Sequence, residues 1–120
     1  MSFISYNVDP ATLMTVPVVS QRAAAIGTAY QPSATRPSLV ICPVSISSGV
    51  AGDGSIQFLS DAANPPTTVR STYRVGTALS VMSGQISGIV PAGHYYKLLG
   101  VTAGGTPAFS IVGNVQEYVM

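Results

Sequence analysis

From Gly49 onward, turn signals recur about every eight to twelve residues: Gly49 to Gly54, Asn64-Pro65-Pro66, Gly76, Ser83-Gly84, Pro91-Ala92-Gly93, Gly104-Gly105 and Gly113-Asn114. No helix of ordinary length fits between them, so the segments they separate must be short strands. Their patterning agrees. Thr67 to Val75 reads TTVRSTYRV, which puts Val69, Ser71, Tyr73 and Val75 on one face and Thr68, Arg70, Thr72 and Arg74 on the other. Similar segments are Leu39 to Ser47, Ser55 to Leu59, Ala78 to Met82, Gln85 to Val90, His94 to Leu99, Ala108 to Val112 and Val115 to Met120. Short strands at this spacing predict an all-β fold, an antiparallel β-sandwich or jelly roll.

Upstream, Gln31-Pro32 and Arg36-Pro37 stiffen the approach to the first long strand, since proline fixes its own φ and holds the preceding residue extended. Only Asp9 to Met14, where Asp9 caps and Pro10 occupies the first helical position, and Gln21 to Ile26 offer a helical turn. The chain therefore divides into an extended N-terminal arm, residues 1–28, and a β-sandwich body, residues 29–120. The arm is too apolar for a free tail. Phe3, Ile4, Tyr6, Leu13, Met14, Val16 and Val18 are expected to be covered, either by the body or by a neighbouring subunit.

Charge is scarce, at 8% of residues against a usual quarter or so, and the net charge is +1. That balance, with the arginines scattered, gives no reason to expect a nucleic-acid partner. The longest apolar runs fall far short of the ~20 residues of a spanning helix, and MSFISYNVDPATLM lacks the basic and apolar regions of a secretory signal. The expectation is a soluble protein made in a cytoplasm, without membrane insertion. Cys42, the sole cysteine, lies inside an apolar run and reads as a small buried hydrophobe.

The inventory for catalysis is short. Asp9 reads as a cap, Asp53-Gly54 as a tight-turn pair, Asp61 as part of the polar loop SDAANPPTT, and Glu117 as a residue of the last strand. The one histidine, His94, follows a turn, and no serine sits in a nucleophile elbow. GVTAGG, Gly100 to Gly105, lacks the lysine of a phosphate loop and reads as a hairpin loop. No catalytic residue, cofactor or metal site is expected, and the protein is read as a non-enzyme.

Four blocks, AYQPSATRPSLV, FLSDAANPPTTVR, IVPAGHYYKLLGV and GTPAFSIVGNVQE, follow one another across residues 29–118. Together they resemble a small accessory structural protein or terminal module of tailed bacteriophage virions, of the tail-fibre type. The resemblance implies a virion protein assembled in the bacterial cytoplasm, a homo-oligomer and most often a trimer, with other virion proteins as partners. It places the chain in a tail-fibre or host-contacting position, with capsid decoration on the head shell as the alternative. Were a host saccharide or protein contacted, Arg70, Tyr73, Arg74, His94, Tyr95 and Tyr96 would be the contact residues, because tyrosine presents rigid area with a polar tip.

Overall fold

The computed structural model describes residues 18–47, 53–75 and 81–120. Two antiparallel sheets pack face to face as a β-sandwich, with no helix among the described residues. In chain order the strands are β1 (Val18–Arg22), β2 (Ala29–Tyr30), β3 (Ser38–Ser47), β4 (Asp53–Asp61), β5 (Val69–Val75), β6 (Val81–Val90), β7 (Tyr95–Gly104), β8 (Ala108–Ile111) and β9 (Val115–Val119). The first sheet runs β1-β9-β3-β6, with β8 also on β3; the second runs β2-β7-β4-β5.

The alternation of β3 sets the core. Ser38, Val40, Cys42, Val44 and Ile46 point inward, and all are buried. They meet Ile56 and Phe58 of β4, Ile86 and Val90 of β6, Tyr96 and Leu98 of β7, and Val115 of β9. Cys42 is buried, as expected.

One edge of β3 is shared by two strands. Val44 pairs Ile111 of β8 and Ile41 pairs Gln116 of β9, so three residue steps on β3 face five on the partner, two more. The interruption falls opposite Pro43. Its carbonyl accepts from Val112 N at 2.9 Å, but proline has no N–H to return, and the ladder cannot continue on that side. Gly113 absorbs the detour with φ +83°.

Several sequence expectations are revised. Gln21 and Arg22 are strand rather than helix, and after them the backbone donors go elsewhere: Gly27 N donates to Leu98 O at 2.7 Å, carrying the chain across to the second sheet. Val18–Arg22 thus pairs with β9 of the body, although it lies within the segment read as an arm, residues 1–28. Asp9 to Met14 and the arm residues Phe3, Ile4, Tyr6, Leu13, Met14 and Val16 lie outside the described residues. Asp53-Gly54 opens β4 instead of forming a turn, Ser83-Gly84 lies inside β6, and Gly100 to Gly104 extends β7.

Gly54, Gly84, Gly88 and Gly100 have one explanation. A Cβ on Gly84 would come within 2.5 Å of the Tyr73 ring, one on Gly88 within 2.6 Å of Phe58, and one on Gly100 within 2.4 Å of Phe109, which also covers Gly54. Rings of the second sheet seat on glycines of the first, and Phe109 of the first seats on glycines of the second. The bare backbone lets the sheets approach where an aromatic side chain fills the gap.

Candidate contact surfaces

The antiparallel order gathers three connections at one end of the sandwich: residues 31–37, 62–68 and 91–94. All three are built rigidly. Ser33 Oγ accepts from the N–H groups of Thr35 and Arg36, and Ser33 O accepts from Gly93 N at 2.9 Å. Gln31 Nε2 donates to Gly93 O at 3.1 Å, and Arg36 Nε donates to Met120 O. Gly93 itself has φ +77°, a conformation that L side chains rarely adopt.

Asp61 organises the loop of residues 62–68. Oδ1 accepts from Ala63 N at 2.8 Å, while Oδ2 accepts from Thr67 N at 2.9 Å, Thr68 N at 2.9 Å and Thr68 Oγ1 at 2.8 Å. The backbone donors of Thr67 and Ala63 hold this carboxyl well below the usual carboxylate range. It is a structural acid whose oxygens are already engaged.

The same end of the sandwich holds four side-chain polar atoms that are buried without a hydrogen-bond partner among the described residues: Arg36 Nη2, Ser38 Oγ, Ser60 Oγ and His94 Nδ1. The two serines are 1% exposed and close off the inward rows of β3 and β4. Their hydroxyls lie out of reach of any surface ligand.

A second polar group lies inside. Glu117 of β9 is 2% exposed; its Oε2 accepts from Arg22 Nε at 2.5 Å and from the Tyr96 hydroxyl at 2.5 Å, and its Oε1 accepts from Arg22 Nη2 at 3.1 Å. The Arg22 guanidinium also stands 4.7 Å from the Tyr30 ring centroid, and Tyr96 stacks on Phe58 with centroids 5.7 Å apart at 4°. The hydrogen bond to Glu117 raises the Arg22 pKa further, and burial, with Glu117 next to it, pushes the Tyr96 phenol up. One carboxylate thus receives two hydrogen bonds from a guanidinium and one from a phenol. Every member is engaged, so the group fastens β1 to the core and offers nothing to a substrate.

Tyr96 is therefore not a surface contact: even and odd positions of β7 alternate, and Tyr96 falls on the buried side. The other contact residues inferred from sequence separate. Tyr73 is half-buried over Gly84, and His94 belongs to the loop end. Arg70, Arg74 and Tyr95 belong to the outer face of the second sheet, where Lys97 joins them. A β-bulge sets part of this face: Phe58 pairs Ser71 but Leu59 pairs Val69, which leaves Arg70 as the extra residue and turns Val69 outward, 46% exposed. Arg70 Nε donates to Ser60 O at 2.9 Å.

The outer face of the first sheet differs in kind. Its register aligns Val19 with Tyr118, Tyr118 with Leu39, and Leu39 with Ile89, one row across four strands. Val19 is 52% exposed and Ile89 55%. The adjoining row is Gln21, Gln116, Ile41 and Ser87. No charged residue stands in either row. The period-two reading anticipated the alternation from Ser71 to Arg74 but not the bulge that turns Val69, read onto the face of Ser71 and Tyr73, to the opposite side; which strands are neighbours, and hence this row, is decided by long-range pairing.

Comparison of the chain with protein-family models, with curated proteins and with solved structures finds no match. Among the described residues there is no cavity.

Proposed function

We propose that this protein is a non-enzymatic structural subunit of a tailed-phage virion, in a tail-fibre or host-contacting position. In this reading it assembles as a homo-oligomer, most simply a trimer, through the outer face of the first sheet. The observation that carries the assembly reading is the row Val19, Tyr118, Leu39 and Ile89, set in an uncharged surround. Leaving such a row in water is unfavourable, at about 25 cal/mol per Å² of apolar surface, and contiguous apolar patches of this kind mark contact sites. Copies of the same uncharged face bring no like charges together, so three of them can meet about a common axis. The virion assignment rests on the resemblance of the four sequence blocks. In the fold those blocks form the β2–β3 approach, the loop of residues 62–68, the β6–β7 turn and the β8–β9 edge.

Sedimentation of the purified protein and of Ile89→Lys tests the assembly. The reading expects a discrete oligomer that the lysine disperses without loss of β-structure, and a monomeric parent protein overturns it. Gold-labelled antibody on phage particles tests the location. Label on tail fibres supports the reading, high-copy label over the head shell assigns capsid decoration instead, and unlabelled particles refute both.

A further inference from the structure

We propose that the open edge of β6 takes residues 3–8 from the N-terminal segment of a neighbouring copy as an added antiparallel strand. This deepens the assembly reading above and rests on it. β6 ends the order of the first sheet and is, among the described residues, the longest edge without a guard. β2 has two residues, β8 has four and follows Pro107, β5 and the open part of β7 each carry a register shift, and β1 turns Arg22 inward to Glu117. Short strands, proline, bulges and inward charges are how sheet edges avoid pairing. Val81–Val90 reads VMSGQISGIV, with no charge and no proline, and its register with β3 is unbroken.

Pro43 shows which backbone groups face outward. Its carbonyl accepts from Val112 N, on the side of β3 away from β6, so Pro43 and Gln85 are opposite each other without exchanging hydrogen bonds. By alternation, the N–H and C=O groups of Ser83, Gln85, Ser87 and Ile89 point out from the edge. Ser87 O agrees, since it accepts from Ser71 Oγ of the facing sheet at 3.2 Å. A carbonyl has a second lone pair, which a strand N–H can use.

Pattern selects the occupant. With Phe3 opposite Ile89, Ser5 opposite Ser87 and Asn7 opposite Gln85, the outer face sets one apolar residue beside Ile89, 55% exposed, and polar residues beside polar ones. On the other face Ile4, Tyr6 and Val8 come beside Gly88, Ile86 and Gly84, so larger side chains stand next to bare backbone. Phe3 then extends the row Val19, Tyr118, Leu39 and Ile89 by one strand. Pro10, without an N–H, ends the match. A second body offering its own β6 fits less well. Ser71 places β5 at this flank, and the two copies of β5 would collide, whereas a lone strand brings no second sheet.

Reach selects the neighbour as donor. Val18 enters β1 at the level of Val119, Ser38 and Val90, three strands from β6, and Asp9 would stand at Ser83, seven residues along β6 from Val90. At about 4.8 Å per strand and about 3.3 Å per residue, that gap is roughly 27 Å. Residues 10–17 span roughly 30 Å when fully straight. That leaves no slack for the reversal at Asp9-Pro10 or for clearing the side chains of the outer face.

The test is the full chain carrying Ser5→Cys and Ser87→Cys together, oxidised and run on a denaturing gel without reductant. A hydrogen-bonded antiparallel pair holds its Cα atoms about 5.5 Å apart, within the range a disulfide spans. Cys42 is buried and does not take part. The double variant should run mostly as covalent multimers, and each single variant as single chains. A double variant that stays unlinked, a disulfide closed within one chain, or equal linkage by a single variant overturns the proposal. A discrete oligomer in sedimentation without this cross-link refutes the strand exchange alone. If the cross-link forms but Ile89→Lys leaves the unlinked oligomer intact, the outer face fails as the interface and the strand exchange stands. A monomeric parent protein refutes both.

Discussion

Arg22 and Glu117, 95 residues apart in the chain, meet through two hydrogen bonds, Nε to Oε2 at 2.5 Å and Nη2 to Oε1 at 3.1 Å. The pair sits where β1 lies against β9, with the carboxylate in the core and the guanidinium one third exposed. Glu117→Ala leaves the Arg22 guanidinium and the Tyr96 hydroxyl without their acceptor. Breaking a buried pair in this way costs about 3–5 kcal/mol, and the exposure of Arg22 favours the lower end. Urea denaturation should show that loss, and the double variant Arg22→Met, Glu117→Met should lose less than the sum of its two single changes.

Truncation separates the two parts of the N-terminal segment. Removing residues 1–17 leaves β1, its pairing with β9 and the partner of Glu117 in place, so the β-rich circular dichroism should persist. Removing residues 1–22 takes away both β1 and the partner of Glu117, and the urea midpoint should fall sharply.

The glycine seats differ in how freely their rings can yield. Phe58 is fully buried and stacked on Tyr96, so Gly88→Ala should cost about 1–3 kcal/mol through overpacking. Tyr73 is half-buried and able to tilt outward, so Gly84→Ala should cost less than about 1 kcal/mol. Thermal melts of the two variants side by side give the comparison, and equal losses would contradict the ring-seat account.

Asp61 gives the stability a pH dependence of known sign. Its folded pKa lies below the unfolded value of about 3.9, so its contribution is complete above that value and is lost as the pH falls through it toward the folded pKa. Asp61→Asn should therefore melt lower than the parent near neutral pH, and the gap should narrow as the buffer is taken below about pH 4.

Cys42 has its thiol pushed up to about 12 by burial, with the Glu117 carboxylate adding to the effect. An aromatic disulfide reagent near pH 8 should find no reactive thiol in the folded protein and one per chain in denaturant. Rapid reaction of the folded chain would show that the core opens.

What could be read from the residues was the alternation within stretches such as Ser71 to Arg74 and the class of fold that punctuated strands make. TTVRSTYRV exposes Thr72 and Arg74 and half-buries Ser71 and Tyr73 as its period predicts, whereas Val69, which the period groups with Ser71 and Tyr73, is turned to the other face by the bulge at Arg70. The misreadings share a cause. Ser83-Gly84 and Gly100 to Gly105 read as turns because glycine usually breaks strands, whereas Gly84 and Gly100 each seat a ring from the facing sheet, a contact between sheets that local patterning does not show. Gln21-Arg22 looked helical because its β partner, around Gln116, lies at the far end of the chain. Tyr95 and Tyr96 are neighbours of identical type, and only the register of β7 tells the surface ring from the core ring. Lys97 carries no local signal at all. It joins Arg70 and Arg74 because β4 stands between β7 and β5.

The break opposite Pro43 has a practical side. Peptide insertion into a sandwich normally fails because it tears a ladder, yet between Ile111 and Val115 there is no ladder to tear. Val112 is 52% exposed, and a Cβ built on Gly113 meets nothing within 4 Å. A foreign epitope spliced after Gly113 would only lengthen an existing detour and would project from the side of the sandwich. On a particle carrying many copies of this chain, that corner would serve as a display site.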